Sequence, residues 1–338
     1  MSRLARRPIV LVLAATLAAG GDAFAEKHHR KGEKKERRAE EKAKAPAAPR
    51  DWARFPAVVE RTTSEDVVGL GDVHGGYDRL VTLLSAAGLI KPAPESPVGH
   101  AWEGGRRTLV SVGDLIDKGD QGTSVIDLMR TLEAEAAAAG GAVIVTLGNH
   151  EAEFLADPTN KKATKEFVPE LRAKGLDPEG VAHGEGPYGD WLRNRPLAAK
   201  VNGWFFSHGG NTAGRSTSAL GQRFRASVDA NDWGAPFLIG DDSILEAQKW
   251  WKQGGVDADL AALQARHIVF GHDPGAFDQP GRIATALDGK LFRIDVGMSP
   301  AVDYSHGALL IIHRANGGEQ ASSLDASGRR MVLWNGPA

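Results

Sequence analysis

Apolar positions along this chain fall into short unbroken runs, and five of them stop at a short polar cluster that contains glycine. Val67 to Leu70 leads into Gly71-Asp-Val-His-Gly-Gly76, and Leu109 to Val112 into Gly113-Asp-Leu-Ile-Asp-Lys-Gly119. Ala142 to Leu147 leads into Gly148-Asn-His-Glu151, Trp204 to Ser207 into His208-Gly-Gly210, and His267 to Phe270 into Gly271-His272. Runs of this length bounded by turn residues read as buried strands. Because they are apolar throughout and do not alternate, they suit strands covered on both faces. Leu291 to Val296 and Ala308 to Ile312 are further strand candidates. Residues 124–139, rich in Leu, Met, Glu and Ala, predict a helix, and so does Ser243 to Gln253 with Trp250 and Trp251 as packing residues. Strands interleaved with helical stretches give the fold class α/β. In such sheets ligands gather beyond the carboxyl ends of the strands, so five polar clusters spread over some 200 residues can meet at one edge.

The ends of the chain break this pattern. Arg3, Arg6 and Arg7 precede an apolar run from Ile9 to Ala19, and Ala23-Phe24-Ala25 follows. This three-part plan predicts a signal peptide over residues 1–25 and an exported, periplasmic or secreted protein. The run falls short of the roughly 20 residues a membrane span needs, so no transmembrane segment is expected after cleavage. Residues 26–60 open with a dense charged stretch, Lys27 to Lys44, with almost nothing to bury, and are read as a disordered tail and linker. The folded domain is placed at 61–316 and a C-terminal extension at 317–338. A formal net charge of -2 gives no global pull towards nucleic acid or membrane. The absence of cysteine excludes disulfides, thiolate metal sites and cysteine nucleophiles.

Taken together, the clusters offer Asp72, His74, Asp114, Asn149, His208 and His272. Any one of them taken singly is adequately explained as a glycine turn in which the Asp makes local hydrogen bonds. As an ordered set on strand ends they make a donor inventory of hard oxygen and imidazole, which suits divalent Mn, Fe or Zn. Two such ions held about 3.5–4 Å apart by a shared carboxylate form a clamp for phosphoryl groups. The chain has no Gly-x-x-x-x-Gly-Lys phosphate loop, no zinc-finger spacing and no Gly-x-Ser-x-Gly elbow.

The ordered motifs GDVHGG, GDLIDKG, GNHE, HGG and GH resemble those of the calcineurin-like metallophosphatases, and GNHE and HGG resemble the phosphoprotein phosphatase branch. Phe292-Arg-Ile-Asp-Val-Gly-Met-Ser299 and Tyr188-Gly-Asp-Trp-Leu-Arg-Asn-Arg-Pro196 resemble Shewanella-like protein phosphatases. The resemblance implies a four-layer α/β/β/α sandwich, two mixed sheets flanked by helices. It implies that Asp72, His74 and Asp114 hold one metal, and that Asp114 bridges to a second held by Asn149, His208 and His272. It implies attack by a metal-bridging hydroxide, with His150 as general acid oriented by Asp117. The implied substrates are phosphoproteins, phosphotyrosine slightly ahead of phosphoserine and phosphothreonine. The rival readings are a nucleotide or diadenosine polyphosphate hydrolase, and a non-catalytic metal- or phosphopeptide-binding protein. One departure matters. Lys118 stands where the family usually has Arg, which leaves the phosphate contact to Lys118 or to one of Arg193, Arg195, Arg215, Arg223 and Arg225.

Overall fold

The computed structural model describes residues 49–315 and 317–337. The signal peptide expected at 1–25 and most of the expected tail lie outside these residues.

Two six-stranded sheets form the centre. One has strand order β1-β7-β8-β9-β11-β10, with β1 Val58–Arg61, β7 Ala198–Val201, β8 Trp204–Ser207, β9 His267–Phe270, β11 Leu291–Arg293 and β10 Ala284–Ala286. The other has the order β14-β13-β12-β2-β5-β6, with β14 Arg330–Pro337, β13 Gly318–Asp325, β12 Ala308–Ala315, β2 Val67–Leu70, β5 Thr108–Ser111 and β6 Ala142–Val145. Both are mixed. Strands β2, β5 and β6 run parallel, as do β8, β9 and β11, while β12, β13 and β14 form an antiparallel meander. A two-stranded hairpin, β3 Ile90–Pro92 with β4 His100–Trp102, stands apart.

All the apolar runs but Ala308 to Ile312 form parallel strands, and β2, β5, β8 and β9 are buried along their whole length. Helices pack against them through one face. In α2, Gly122–Ala138, the buried side chains Val125, Ile126, Leu128, Met129, Leu132 and Ala136 recur at the three- and four-residue spacing of a single stripe. The first helix, α1, Tyr77–Ala86, does the same with Leu80, Leu83 and Leu84. Between the sheets, Trp204 of β8 donates its indole N–H to Glu319 of β13 (3.0 Å) and lies edge-on to Trp334 of β14.

Three expectations need correction. Residues 317–338 are not an extension, because β13 and β14 complete the second sheet, with β13 paired to β12 along eight residues. Their sequence is polar because an antiparallel sheet need bury only one face; Ala321 and Leu324 supply it. The domain also starts before residue 61. Strand β1 pairs with β7, and the Arg50 guanidinium donates to the carbonyls of Arg193, Asn194 and Arg195. Finally, Ser243 to Gln253 is not a helix. Lys249 takes a left-handed conformation (φ 57°), Trp250 donates its indole N–H to the Gly209 carbonyl, and only a single 3-10 turn forms at Trp250–Gln253. Trp250 and Trp251 are packing residues against Phe270, as expected. Among the described residues no helix is long and apolar enough to cross a membrane.

Candidate metal centre

Strands β2, β5 and β6 of one sheet and β8 and β9 of the other end at one edge, and the loops leaving them carry the polar clusters. Strand β2 delivers Asp72 and His74, β5 delivers Asp114 and Asp117, and β6 delivers Asn149 and His150 at the start of α3, Asn149–Ala156. From the other sheet β8 delivers His208 and β9 delivers His272. The structure therefore brings together all six expected ligands and the His150–Asp117 pair.

Asp114 is at the middle. Its Oδ2 lies 3.5 Å from His74 Nε2 on one side and 3.2 Å from His208 Nε2 on the other. Two clusters of donor atoms that lie within 4.8 Å of one another share it: His74, Asp114 and His150, and Asp114, His208 and His272. One carboxylate common to two clusters is the arrangement that a pair of cations needs. Asp72 joins through its carboxylate, 3.9 Å from His74 Nε2, and accepts the His272 backbone N–H at 3.0 Å. Asn149 Oδ1 lies 2.9 Å from His208 Nε2 and 3.2 Å from His272 Nδ1.

Surrounding groups fix which atom of each side chain faces inward. His74 Nδ1 donates to the Ile116 carbonyl (3.0 Å) and His208 Nδ1 to the Val112 carbonyl (2.9 Å). A carbonyl only accepts, so both rings keep a proton on Nδ1 and turn Nε2 to the centre. Asn149 Nδ2 donates to Glu246 (3.2 Å), which leaves Oδ1 pointing inward. Asp117 accepts from His150 Nδ1 at 2.8 Å, while the other oxygen of Asp117 is buried without a partner.

The backbone carries strain here. His74, Asp114, Asp117, Lys118 and His272 all have positive φ, between 46° and 63°. Left-handed backbone at residues other than glycine costs about 1–3 kcal/mol each and persists where the surroundings over-determine it. Two glycines make room for the carboxylates. A Cβ on Gly271 would lie 2.1 Å from Asp72 Oδ1, and one on Gly148 would lie 2.3 Å from Asp114 Oδ1.

The donor chemistry fits divalent cations. Asp72, Asp114, Asp117 and Asp295 are all buried. Burial, and then the neighbouring Asp295, push the Asp72 carboxyl well above its ordinary range. Burial would raise Asp114 also, but His208 and then His150 outweigh it and hold Asp114 well below the usual carboxylate range. Burial works against a charged His208, yet Asp114 and Asp72 carry its pKa up to about 10. Burial keeps His74 neutral and ready to bind. A cation placed among these carboxylates relieves their mutual repulsion and displaces the His208 proton.

Lys118 brings a lysine cation to the site. Its Nζ lies 2.9 Å from His74 Nε2, and its charge is felt at Asp72 and Asp295. The arginines weighed against it are engaged elsewhere. Arg195 is buried against Trp191 and paired with Glu133, and Arg193 bonds Ala182 and Asn231. Arg215 bonds the Thr212 carbonyl, and Arg223 and Arg225 lie over Phe237 and Trp52.

Three contributors escaped the sequence reasoning. Glu151, the last residue of GNHE, accepts backbone N–H groups from Asp114, Leu115, Ile116 and Gly148, so it ties the Asp114 loop to the start of α3. Its three-residue spacing from Gly148 is a capping signal that was legible. Glu246 holds Asn149 from the segment 243–253, whose sequence reads as a helix that does not form. Asp295 follows β11 and accepts the Gly297 N–H at 2.9 Å.

The family model for the calcineurin-like phosphoesterases matches residues 66–287. The chain belongs to that family. It is 30% identical to Shewanella-like protein phosphatase 1 of Plasmodium berghei over 70% of this chain and 68% of that protein. It is 36% identical to an uncharacterized protein of Schizosaccharomyces pombe, but over only 25% of this chain and 24% of that one. A symmetrical bis(5'-nucleosyl)-tetraphosphatase of Enterobacter sp. is 30% identical over 38% of this chain and 36% of its own length. Among solved structures, a cold-active protein-tyrosine phosphatase of a psychrophilic Shewanella superposes with a TM-score of 0.66, at 24% identity over 81% of this chain and 82% of that one, and shares the fold. The calcineurin-like domain therefore contains every expected ligand, and the chain is a metal-dependent phosphatase of this family.

Proposed function

We propose that the protein is an exported phosphomonoesterase that removes phosphate from phosphoproteins at a two-metal centre. The observation that carries the reading is Asp114, one carboxylate shared by two ligand clusters. Asp72, His74 and Asp114 would hold one ion; Asp114, Asn149, His208 and His272 would hold the other. Bound there, two divalent ions of Mn, Fe or Zn supply positive charge to phosphoryl oxygens and activate water. The chain does the rest. Lys118 adds a point charge for the phosphate beside the centre. His150, with Nδ1 held by Asp117, directs Nε2 to the centre, 3.9 Å from Asp114 Oδ2, and is placed to give a proton to the leaving oxygen. Asp117 stabilises the imidazolium that this role requires.

Likeness to a Shewanella-like protein phosphatase across most of both chains supports a phosphoprotein substrate. The shorter likeness to a dinucleoside tetraphosphatase supports the second reading, a small-molecule phosphoesterase. Side-by-side hydrolysis of phosphotyrosine, phosphoserine and phosphothreonine peptides against diadenosine tetraphosphate and mononucleotides tests this. A kcat/KM for some phosphopeptide well above that for every nucleotide is expected; the reverse order overturns the phosphoprotein reading. Export rests on residues 1–25, and amino-terminal sequencing of material from outside the cytoplasm should begin near Glu26. Full-length protein confined to the cytoplasm would refute export.

A further inference from the structure

A second cleft opens at the same edge of the fold as the metal centre. It has a volume of about 840 Å³ and lies between the turn before β10, the residues before β12, and the β13–β14 turn. Its position follows from register. Leu309, near the start of β12, pairs with Leu70, two residues before Asp72, and Ala308 pairs with Asp325 at the end of β13. On the other sheet Ala284 of β10 pairs with Arg293, two residues before Asp295. The loop between β11 and β12 spans centre and cleft. Its Ser299 hydroxyl donates to the Lys118 carbonyl (3.1 Å), its Ser305 hydroxyl donates to the Val296 carbonyl (2.9 Å), and Ser305 then lines the cleft.

The lining is basic. Arg282, Arg329, Arg330 and His306 stand exposed around a floor that includes buried Ile283. The cleft's one carboxylate, Asp325, is used up within its own turn, where it accepts from the Ser327 backbone and hydroxyl, the Arg329 backbone and Arg329 Nε. Arg282 and Arg330 have no ion-pair partner among the described residues. On a chain whose net charge is -2, this is a local excess of positive charge beside the reaction centre. An open groove with apolar floor and unpaired guanidinium groups fits an extended acidic peptide, whose carboxylates guanidinium binds bidentately.

We propose that this cleft docks an acidic segment of the substrate protein flanking the phosphorylated residue, with Arg282 and Arg330 as the specificity-determining cations. The proposal rests on the phosphoprotein reading. It adds that acidic sequence context is selected by residues that do not take part in the chemistry.

The test uses two phosphopeptides that differ only in Glu or Gln at the flanking positions, with nitrophenyl phosphate as a substrate too small to reach the cleft. The wild type should prefer the acidic peptide, chiefly through KM, and the preference should shrink as salt is raised. The double variant Arg282→Glu/Arg330→Glu should lose about tenfold in kcat/KM on the acidic peptide, as charge reversal at exposed pairs allows. It should retain wild-type kcat/KM on nitrophenyl phosphate. Equal kcat/KM of the wild type on the two peptides overturns the proposal while leaving the phosphoprotein reading intact. So does a double variant that loses as much on nitrophenyl phosphate as on the peptide. A single-stranded oligonucleotide that competes with the acidic peptide for the wild type but not for the double variant, and binds more tightly, reassigns the cleft to nucleic acid and overturns it too. If neither peptide is cleaved and diadenosine tetraphosphate is, both readings fall.

Discussion

Asp114 concentrates the demands of the site in one side chain, so its amide should be the most damaging small change. Asp114→Asn keeps the shape but removes the negative charge and replaces one of the two ligating oxygens with an NH2 donor. It should lose one or more metal equivalents by elemental analysis, and activity should fall by at least the roughly 10–100-fold typical of weaker perturbations around metal ligands. Two retained metals with full activity would remove the bridging role. His150 makes a different kind of prediction, because a general acid matters in proportion to how badly the leaving oxygen needs a proton. His150→Asn should therefore lose most kcat on a phosphoserine peptide, less on phosphotyrosine and least on nitrophenyl phosphate, with metal content nearly unchanged. Equal losses on all three would place His150 elsewhere in the chemistry. Lys118→Ala should raise KM for aryl phosphates and weaken inhibition by inorganic phosphate; unchanged kinetics would make Lys118 a bystander. All of these residues were legible in the sequence because each lies in a short glycine-containing cluster at the end of an apolar run. Glu246 was not. Its contact with Asn149 joins positions 97 residues apart and leaves no local trace.

The loops that present these side chains hold their left-handed turns because neighbouring elements over-determine them, and Glu151 is the main tie. It satisfies four backbone N–H groups on two loops at once. A buried donor left without an acceptor costs about 1–3 kcal/mol, so Glu151→Ala should destabilise the fold by at least ~3 kcal/mol. Thermal melts of Glu151→Ala beside Glu151→Gln check this, and a melting temperature of the alanine variant equal to wild type would contradict it. The same dependence on context explains which elements could be read from the chain. Buried parallel strands announce themselves as apolar runs. Strand β13 buries Glu319, Ala321, Ser322 and Leu324, only two of them apolar, and β14 buries none, so their Ser- and Arg-containing stretch reads as a tail until its pairing with β12 is seen. Residues 243–253 carry helix-forming types, but Trp250 is drawn under Gly209 and Glu246 towards Asn149, and those contacts outweigh local preference.

Across the molecule, strands β2, β5, β6, β8 and β9 of two mixed sheets bring their carboxyl ends to one edge, which is how ligands from residue 72 to residue 272 converge. The α/β class and this convergence followed from the order of apolar runs and clusters. The pairing of the two sheets did not, since it depends on non-local contacts such as Trp204 with Glu319. Because the centre gathers buried carboxylates that repel one another, bound metal should stabilise the whole domain, and chelation should lower its melting temperature. The most direct test of a two-metal centre built on Asp114 is stepwise reconstitution of chelated protein with Mn, Fe or Zn, following bound equivalents and hydrolysis of an aryl phosphate in the same samples. Hydrolysis should be absent from the chelated protein and reach its maximum only as the second equivalent binds. Full activity in protein freed of metal, or a maximum at one equivalent with no further binding, would contradict it.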